Sequence, residues 1–145
     1  MKKIFQYLLD DWLKSFHLEK RDFKRKKISQ KVVFIIVSRK SPEKTSLQYD
    51  AVAYDISIRG MSILVDHLRY DGLHIWKDDS FMEPNYLRLA FYLPGEDKPI
   101  EAEAEVVNFS LAGPQALKRY KIGVKFTDIS PESLAQIGKF LELNK

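Results

Sequence analysis

Apolar residues near the start of the chain, at positions 4–16, recur at the spacing of an amphipathic helix. They fall on one stripe of a helical wheel: Ile4, Phe5, Leu8, Leu9, Trp12, Leu13 and Phe16. This pattern predicts an α-helix whose apolar face is covered by the body of the domain, by a second copy of the chain or by a partner. A helix lying on a membrane surface is the less favoured alternative, because Asp10 and Asp11 interrupt the pattern.

Beyond residue 31 the pattern changes to short apolar or alternating runs, which are typical of β-strands. We predict six of them: Val32–Val37, Leu47–Ile56, Met61–Val65, Tyr86–Leu93, Ile100–Val106 and Arg119–Phe126. Pro94 followed by Gly95 predicts a type II turn, and Ser130 followed by Pro131 predicts the start of a final helix. The sequence therefore predicts a mainly β domain, an antiparallel barrel or sandwich, with helices only at its two ends.

The last two predicted strands carry opposite charges on their outer faces. The alternating residues are Glu101, Glu103 and Glu105 on one strand and Arg119, Lys121 and Lys125 on the other. Opposite charges that face each other across antiparallel strands add about 0.2–1 kcal/mol per pair. We therefore expect these strands to be neighbours, and their charges to serve the sheet rather than a binding surface.

Residues 66–85 form the least regular part of the chain, a polar stretch that contains Tyr70, Trp76 and Phe81. We expect these aromatic side chains to fill one end of the core. A stacking platform for a nucleotide base is the less favoured alternative.

The composition is that of one globular domain: 145 residues, of which 45% are hydrophobic and 30% charged. The absence of cysteine excludes disulfides, iron–sulfur clusters, thiolate zinc sites and cysteine nucleophiles. The three histidines are scattered along the chain, so we expect no metal and no cofactor. The apolar run after Lys3 is too short for a secretory signal or a membrane span, which favours a soluble, cytoplasmic protein.

The positive charge of the chain is concentrated in one segment. The net charge is 24 − 20 = +4, whereas residues 20–31 hold seven basic residues against Asp22 alone, a local charge of +6. The remaining 133 residues therefore carry a net charge of −2. Such a segment favours an anionic partner, with a merely solvated linker as the alternative.

Two clusters of residues carry the candidate chemistry. Arg21 and Arg25 form an R-x-x-x-R motif, and a guanidinium fork suits phosphate oxygens and guanine edges. Asp55, Ser57 and Gly60 form a D-x-S-x-x-G motif at the end of the second predicted strand. Asp55 and Ser57 should project to the same face, and Gly60 should allow a positive φ and a close approach of the backbone to a ligand. Plain turn chemistry and an ion pair between an arginine and Asp55 are the alternatives.

The chain resembles the PilZ domain family, bacterial receptors for cyclic di-GMP. The resemblance rests on R-D-F-K-R at 21–25, D-I-S-I-R-G at 55–60, A-E-V-V-N at 104–108 and Y-K-I-G-V-K-F at 120–126. It implies a six-stranded antiparallel (split) β-barrel with a C-terminal helix over about residues 20–143. The helix at 4–16 lies outside it, so we divide the chain into residues 1–19 and 20–145.

The resemblance also implies a ligand site. Cyclic di-GMP would be bound by Arg21, Arg25, Asp55, Ser57 and Gly60. Further contacts would come from Lys20, Lys24 and Asn108.

The function that this resemblance implies is a receptor that reports the level of a second messenger to a protein partner. Ordering of the N-terminal segment would transmit the signal, and residues 4–16 could join two copies of the chain. The alternatives are a PilZ-like adaptor that binds no nucleotide and a small basic barrel that binds RNA or single-stranded DNA. An enzyme has the least support, because no nucleophile motif, phosphate loop or His–carboxylate pair is present.

Overall fold

The computed structural model of the protein describes residues 24–76, 85–114, 116 and 118–143. The predicted helix at 4–16, Lys20 and Arg21 lie outside the described residues. The predicted boundary between residues 19 and 20 stays a prediction for the same reason.

The described residues form eight strands and one helix. In chain order they are β1 (Lys26–Val37), β2 (Tyr49–Ile56), β3 (Gly60–Val65), β4 (Arg69–Tyr70), β5 (Leu73–His74), β6 (Tyr86–Phe91), β7 (Ile100–Leu111), β8 (Tyr120–Ile129) and α1 (Pro131–Leu143). Six strands close into an antiparallel barrel in the order β1-β2-β3-β8-β7-β6, and β4 pairs with β5 in a separate hairpin. The mainly β class is confirmed, and the closed order decides for a barrel over a sandwich.

Two barrel strands are at least five residues longer than the hydrophobic pattern predicts. β1 begins at Lys26 instead of Val32, and β7 continues to Leu111 instead of ending at Val106. The added residues are held by pairing, since Lys26 lies opposite Ile56 and Leu111 lies opposite Tyr120. Half of the basic segment is therefore strand, in which Lys27 and Lys31 are exposed.

The core fills the barrel and continues under α1. Its largest fully buried side chains include Phe34, Phe91 and Phe126 from three different strands. Helix α1 adds Leu134, Ile137 and Leu141 to the same cluster. The predicted start of this helix is confirmed, because the Ser133 backbone N–H donates to the Ser130 hydroxyl at 3.1 Å. Within the described residues, α1 falls short of the length and hydrophobicity that a bilayer crossing requires.

The predicted turn at Pro94–Gly95 is also confirmed. The Glu96 N–H donates to the Leu93 carbonyl at 3.0 Å, and Gly95 has a φ of 78°. This is the type II geometry, which needs a positive φ at its third residue.

The charges on β7 and β8 are arranged differently from the prediction, although the two strands are antiparallel neighbours as expected. Glu105 lies opposite Lys125, but Glu103 lies opposite Asp128. Glu103 instead forms an ion pair with Arg88 of β6 at 3.5 Å. The prediction of three matched pairs was wrong, because the antiparallel register that sets Glu105 opposite Lys125 places Lys121 opposite Ser110, beyond the three glutamates.

The aromatic residues of the 66–85 stretch divide between two surroundings. Tyr70 is buried, with its ring centroid 5.4 Å from that of Phe34 and 4.4 Å from that of Tyr49, so it fills one end of the core as predicted. Trp76 is half-buried and meets Phe109 edge to face at 5.2 Å. Phe81 lies outside the described residues.

An acidic residue anchors the β4–β5 hairpin to β2. The Tyr49 hydroxyl donates to one carboxylate oxygen of Asp71 at 2.6 Å, and the Leu47 N–H donates to the other at 2.7 Å. The hydrogen bond from Tyr49 is the largest cause that lowers the pKa of Asp71, with that from Leu47 next. The same bond raises the pKa of Tyr49 above its usual value of 10.0.

We expect Asp71→Asn to be less stable than the wild type at pH 7 and to lose this difference in acid. A carboxyl group with a lowered pKa in the folded state contributes stability above its usual pKa and loses it as the pH falls through the folded-state pKa. Asparagine suits the test because Asp71 has a φ of 55°, which asparagine tolerates. Urea unfolding followed by circular dichroism, from pH 7 downward, measures the difference. The matched control is Asp97→Asn in an exposed turn, and a difference at Asp71 that does not change with pH would contradict this assignment.

Candidate functional site

A groove of about 510 Å³ lies on the outside of the barrel, along β3, β8 and the second half of β7. We call it the outer groove. It is lined by Arg25, Asp55, Arg59, Gly60, Ser62, Val107, Asn108, Ser110, Lys121, Gly123, Val124 and Lys125. Its volume is in the range of small-molecule sites. Of the site residues predicted from the sequence, it brings together Arg25, Asp55, Gly60 and Asn108.

Arg25 and Asp55 form an ion pair at one end of the outer groove. The Arg25 Nη2 and Nε atoms donate to the same Asp55 oxygen, Oδ1, at 3.1 and 3.3 Å. The arginine side chain is 48% exposed and the carboxylate 15% exposed. The guanidinium therefore keeps much of its surface open to the groove while its direction is fixed by the aspartate.

Asp55 is itself held by the next strand. Its Oδ1 atom also accepts the Ser62 backbone N–H at 3.1 Å. The pairing of β2 with β3 shifts between Ala53 and Asp55, so that Tyr54 is an extra residue in β2. Such a bulge redirects the side chain that follows it, and here it places the Asp55 carboxylate over the start of β3.

Ser57 differs from its predicted orientation. It lies one residue beyond the end of β2 and is fully buried, so it does not share a face with Asp55. Its hydroxyl accepts the N–H groups of Arg59 at 3.2 Å and of Gly60 at 3.3 Å. The hydroxyl thus holds the β2–β3 turn together from inside.

We expect Ser57→Ala to lower the free energy of unfolding by about 1–3 kcal/mol, because it removes the acceptor of two buried backbone N–H groups. Ser110→Ala is the matched control, since Ser110 is exposed on the wall of the outer groove. Urea unfolding of the two variants measures the difference. Equal stabilities would show that the Ser57 hydroxyl does not hold the turn.

Gly60 does not have the predicted positive φ. It is the first residue of β3 and is not among the residues with a positive φ. A Cβ atom at this position would lie 1.9 Å from the Val124 carbonyl oxygen. Glycine therefore permits a close approach between β3 and β8, and the predicted approach of the Gly60 backbone to a ligand stays a prediction.

Asn108 lies at a second bulge. Val107 is an extra residue in β7, since Val106 lies opposite Val124 and Asn108 opposite Gly123. A Cβ atom on Gly123 would lie 2.6 Å from the Asn108 side-chain oxygen. The missing side chain of Gly123 therefore gives the Asn108 amide its place on the groove wall.

The outer groove also contains basic residues that sequence reasoning did not select: Arg59, Lys121 and Lys125. With Arg25 they make four cations against the single carboxylate of Asp55, a net charge of 4 − 1 = +3 among the lining residues. Lys121 lies with its Nζ atom 4.0 Å from the centre of the Tyr54 ring, which fixes its direction. The outward alternation of Lys121 and Lys125 was the available signal, but it was assigned to pairing with the glutamates.

Lys24 does not line the outer groove. It is exposed at the point where the described chain begins, next to Arg25. Its predicted role in binding, like those of Lys20 and Arg21, stays a prediction.

Comparison with known proteins gives one family and several solved structures. The family described as "PilZ domain" matches residues 19–143. No curated protein sequence matches the chain. The structure of the Bacillus subtilis inhibitor of motility (MotI/DgrA) is 23% identical with a TM-score of 0.59, over 88% of this chain and 54% of that chain.

Two further structures have the same fold at lower identity. The PilZ domain with cyclic di-GMP of YcgR from Escherichia coli is 15% identical with a TM-score of 0.53, over 86% of this chain and 91% of that one. The MrkH–cyclic di-GMP complex of K. pneumonia is 16% identical with a TM-score of 0.51, over 86% of this chain. The chain spans about half the length of the MotI and MrkH chains, 54% and 52% respectively.

Proposed function

Because this chain belongs to the PilZ domain family, we propose that its outer groove binds cyclic di-GMP and that the protein is a bacterial, cytoplasmic receptor for this second messenger. The observation that carries the proposal is the groove itself, in which the second arginine of R-x-x-x-R, the aspartate of D-x-S-x-x-G and three further cations converge. Cyclic di-GMP carries two phosphates and two guanines, which match cationic forks and a carboxylate. Two of the solved structures with this fold contain the same ligand.

Each groove residue has a role that follows from its chemistry. Arg25 donates a guanidinium fork to a guanine N7/O6 edge or to a phosphate, and its plane stacks on a base. Arg21 supplies the second fork. Asp55, whose Oδ1 atom already accepts three donors, offers its other oxygen to the N1 and N2 donors of a guanine.

The remaining residues act around this centre. Lys121 and Lys125 attract the phosphates from the β8 side of the groove. The Asn108 amide can donate to and accept from the ligand at the lip. Ser57 and Gly60 act without touching the ligand, since one holds the β2–β3 turn and the other lets β3 approach β8.

Transmission of the signal follows from where Arg25 sits. It directly precedes β1 and joins residues 1–24 to the barrel. A ligand that holds Arg21 and Arg25 restrains this connection and so changes what residues 4–16 present to a protein partner. The groove residues serve binding, and no chemical conversion of the nucleotide is part of the proposal.

Calorimetric titration with cyclic di-GMP, beside GTP and cyclic di-AMP, tests the ligand. We expect saturable binding of cyclic di-GMP alone. A folded sample that gives no binding at saturating ligand would overturn the receptor function in favour of an adaptor. Binding that falls steeply with salt and does not distinguish the three nucleotides would favour a general nucleic-acid binder instead.

Hydrogen–deuterium exchange tests the transmission step separately. We expect the ligand to slow exchange in residues 4–30. Equal exchange with and without bound ligand would contradict transmission through this segment and leave the ligand assignment intact.

A further inference from the structure

The second half of β7 exposes an apolar surface on the side opposite the outer groove. Phe109 is 41% exposed and Leu111 is 72% exposed. Trp76 meets Phe109 edge to face at 5.2 Å, and Tyr120 lies 6.5 Å from Phe109, centroid to centroid, and opposite Leu111 in the sheet. We call these four residues the distal apolar face.

The bulge at Val107 is the origin of this face. Before the bulge, Ala104 and Val106 point into the core. After it the alternation reverses, so that Asn108 and Ser110 line the outer groove while Phe109 points toward Trp76. In the described pairing, β6 reaches only Ala104 on β7; beyond it Val106 is still buried, whereas Phe109 and Leu111 are exposed.

We propose that residues 4–16 of the same chain dock on the distal apolar face. This segment carries the largest apolar stripe among the residues outside the described barrel, and a stripe of this kind needs an apolar partner. A helix of thirteen residues is about 20 Å long, enough to cross a sheet edge of this size. The proposal concerns a protein surface and stands independently of the ligand.

The connection is long enough to allow this docking. One residue on each strand from β1 to β7 pairs with the next around the barrel. In the order β1, β2, β3, β8 and β7 these residues are Lys26, Ile56, Met61, Val124 and Val106. The four steps between strands, of about 4.8 Å each, give ~19 Å around the barrel. The five residues along β7 from Val106 to Leu111 add ~17 Å at right angles to this path. The direct distance from Lys26 to Leu111 is therefore ~25 Å. Residues 17–25 span up to ~30 Å when extended.

Charge distinguishes this face from the other candidate surface. Arg69 and Arg119 are exposed beside the distal apolar face, where they would meet Asp10 and Asp11 of the segment. A second cavity, of about 480 Å³, lies across β1, β6 and β7 and also has apolar walls. Its charged lining residues are Arg88 against Glu101, Glu103 and Asp128, a net charge of 1 − 3 = −2, which would repel the two aspartates.

The cysteine-free sequence allows a direct test by disulfide trapping. The variant Leu9→Cys with Leu111→Cys is oxidised under mild conditions without ligand and analysed by gel mobility. The matched control pairs Leu9→Cys with Tyr92→Cys, a 51% exposed residue next to Phe91, the partner of Val32 on β1, and thus within the same reach. We expect an intramolecular disulfide in most chains of the first variant and at least fivefold less in the control.

The other outcomes overturn the proposal. Equal trapping of the two variants would mean that the segment has no preferred surface. A disulfide that forms only between chains, detected by mixing copies of different mass, would assign the face to a second copy. Trapping of Leu111→Cys by Phe81→Cys but not by Leu9→Cys would assign the face to another segment of the chain. Titration of the same variants with cyclic di-GMP is a separate readout, so failure of the docking and failure of the ligand assignment are distinguishable.

Discussion

Replacing Arg25 with alanine is expected to weaken the binding of cyclic di-GMP about ten- to a hundredfold. A hydrogen bond to a charged group contributes about 1.5–3 kcal/mol, and each 1.4 kcal/mol corresponds to about a factor of ten in affinity. Arg25 is well placed for this role, because Asp55 fixes the direction of its guanidinium while 48% of the side chain stays exposed. Calorimetric titration of the variant measures the change.

The control has to separate a specific contact from the general attraction of a basic segment. Lys31→Ala removes one positive charge from the same segment, but Lys31 lies on β1 outside the outer groove and pairs with Asp50 at 3.7 Å. We expect its affinity to stay within about twofold of the wild type, since exposed charges are screened beyond roughly 10 Å. Arg25→Lys, which keeps the charge and loses the fork, should fall between the two. An unchanged affinity of Arg25→Ala would refute the assignment.

Of single substitutions in the part of the barrel next to the outer groove, Gly60→Ala is expected to lower the free energy of unfolding the most. The added Cβ would lie 1.9 Å from the Val124 carbonyl oxygen and 3.1 Å from the Lys125 Cα atom. Both obstacles are backbone, so β3 and β8 have to separate where Gly60 pairs with Lys125. Overpacking of this kind costs about 1–3 kcal/mol, and the displaced strands also disturb Lys125 on the groove wall.

Gly113→Ala is the matched control, because a Cβ there would meet nothing within 4 Å. We expect it to leave the urea midpoint and the affinity for cyclic di-GMP unchanged, whereas Gly60→Ala lowers both. If the two variants are equally stable, the strand-approach role of Gly60 is wrong. If Gly60→Ala is destabilised but binds ligand normally, its link to the groove is wrong.

The fold could be predicted from the sequence because alternation and turn chemistry are local. Tyr86–Phe91 and Met61–Val65 show the alternating or continuous apolar runs of strands, and Ser130 marks the start of the final helix. The ends of β1 and β7 could not be predicted in this way. Lys26 and Leu111 are in strands because of the partners opposite them, Ile56 and Tyr120, which are distant in the sequence.

The sequence identified several residues of the candidate site correctly, but it did not predict how their side chains are oriented. Arg25 and Asp55 do meet, and the ion pair that the sequence left as an alternative is present. The spacing of two between Asp55 and Ser57 was misleading, because β2 ends between them and the serine turns inward. Lys121 was missed because its outward position was assigned to pairing with the glutamates, whereas the register places it opposite Ser110.

The single extra residue at Val107 has a consequence for how this barrel can change. One strand supplies a polar wall outside and an apolar surface inside only because its alternation reverses at that point. Regular pairing of β7 through Val107, without a bulge, would exchange the two sets of side chains, turning Phe109 toward the outer groove and Asn108 toward Trp76. The polar wall of the outer groove and the distal apolar face therefore depend on the same irregularity.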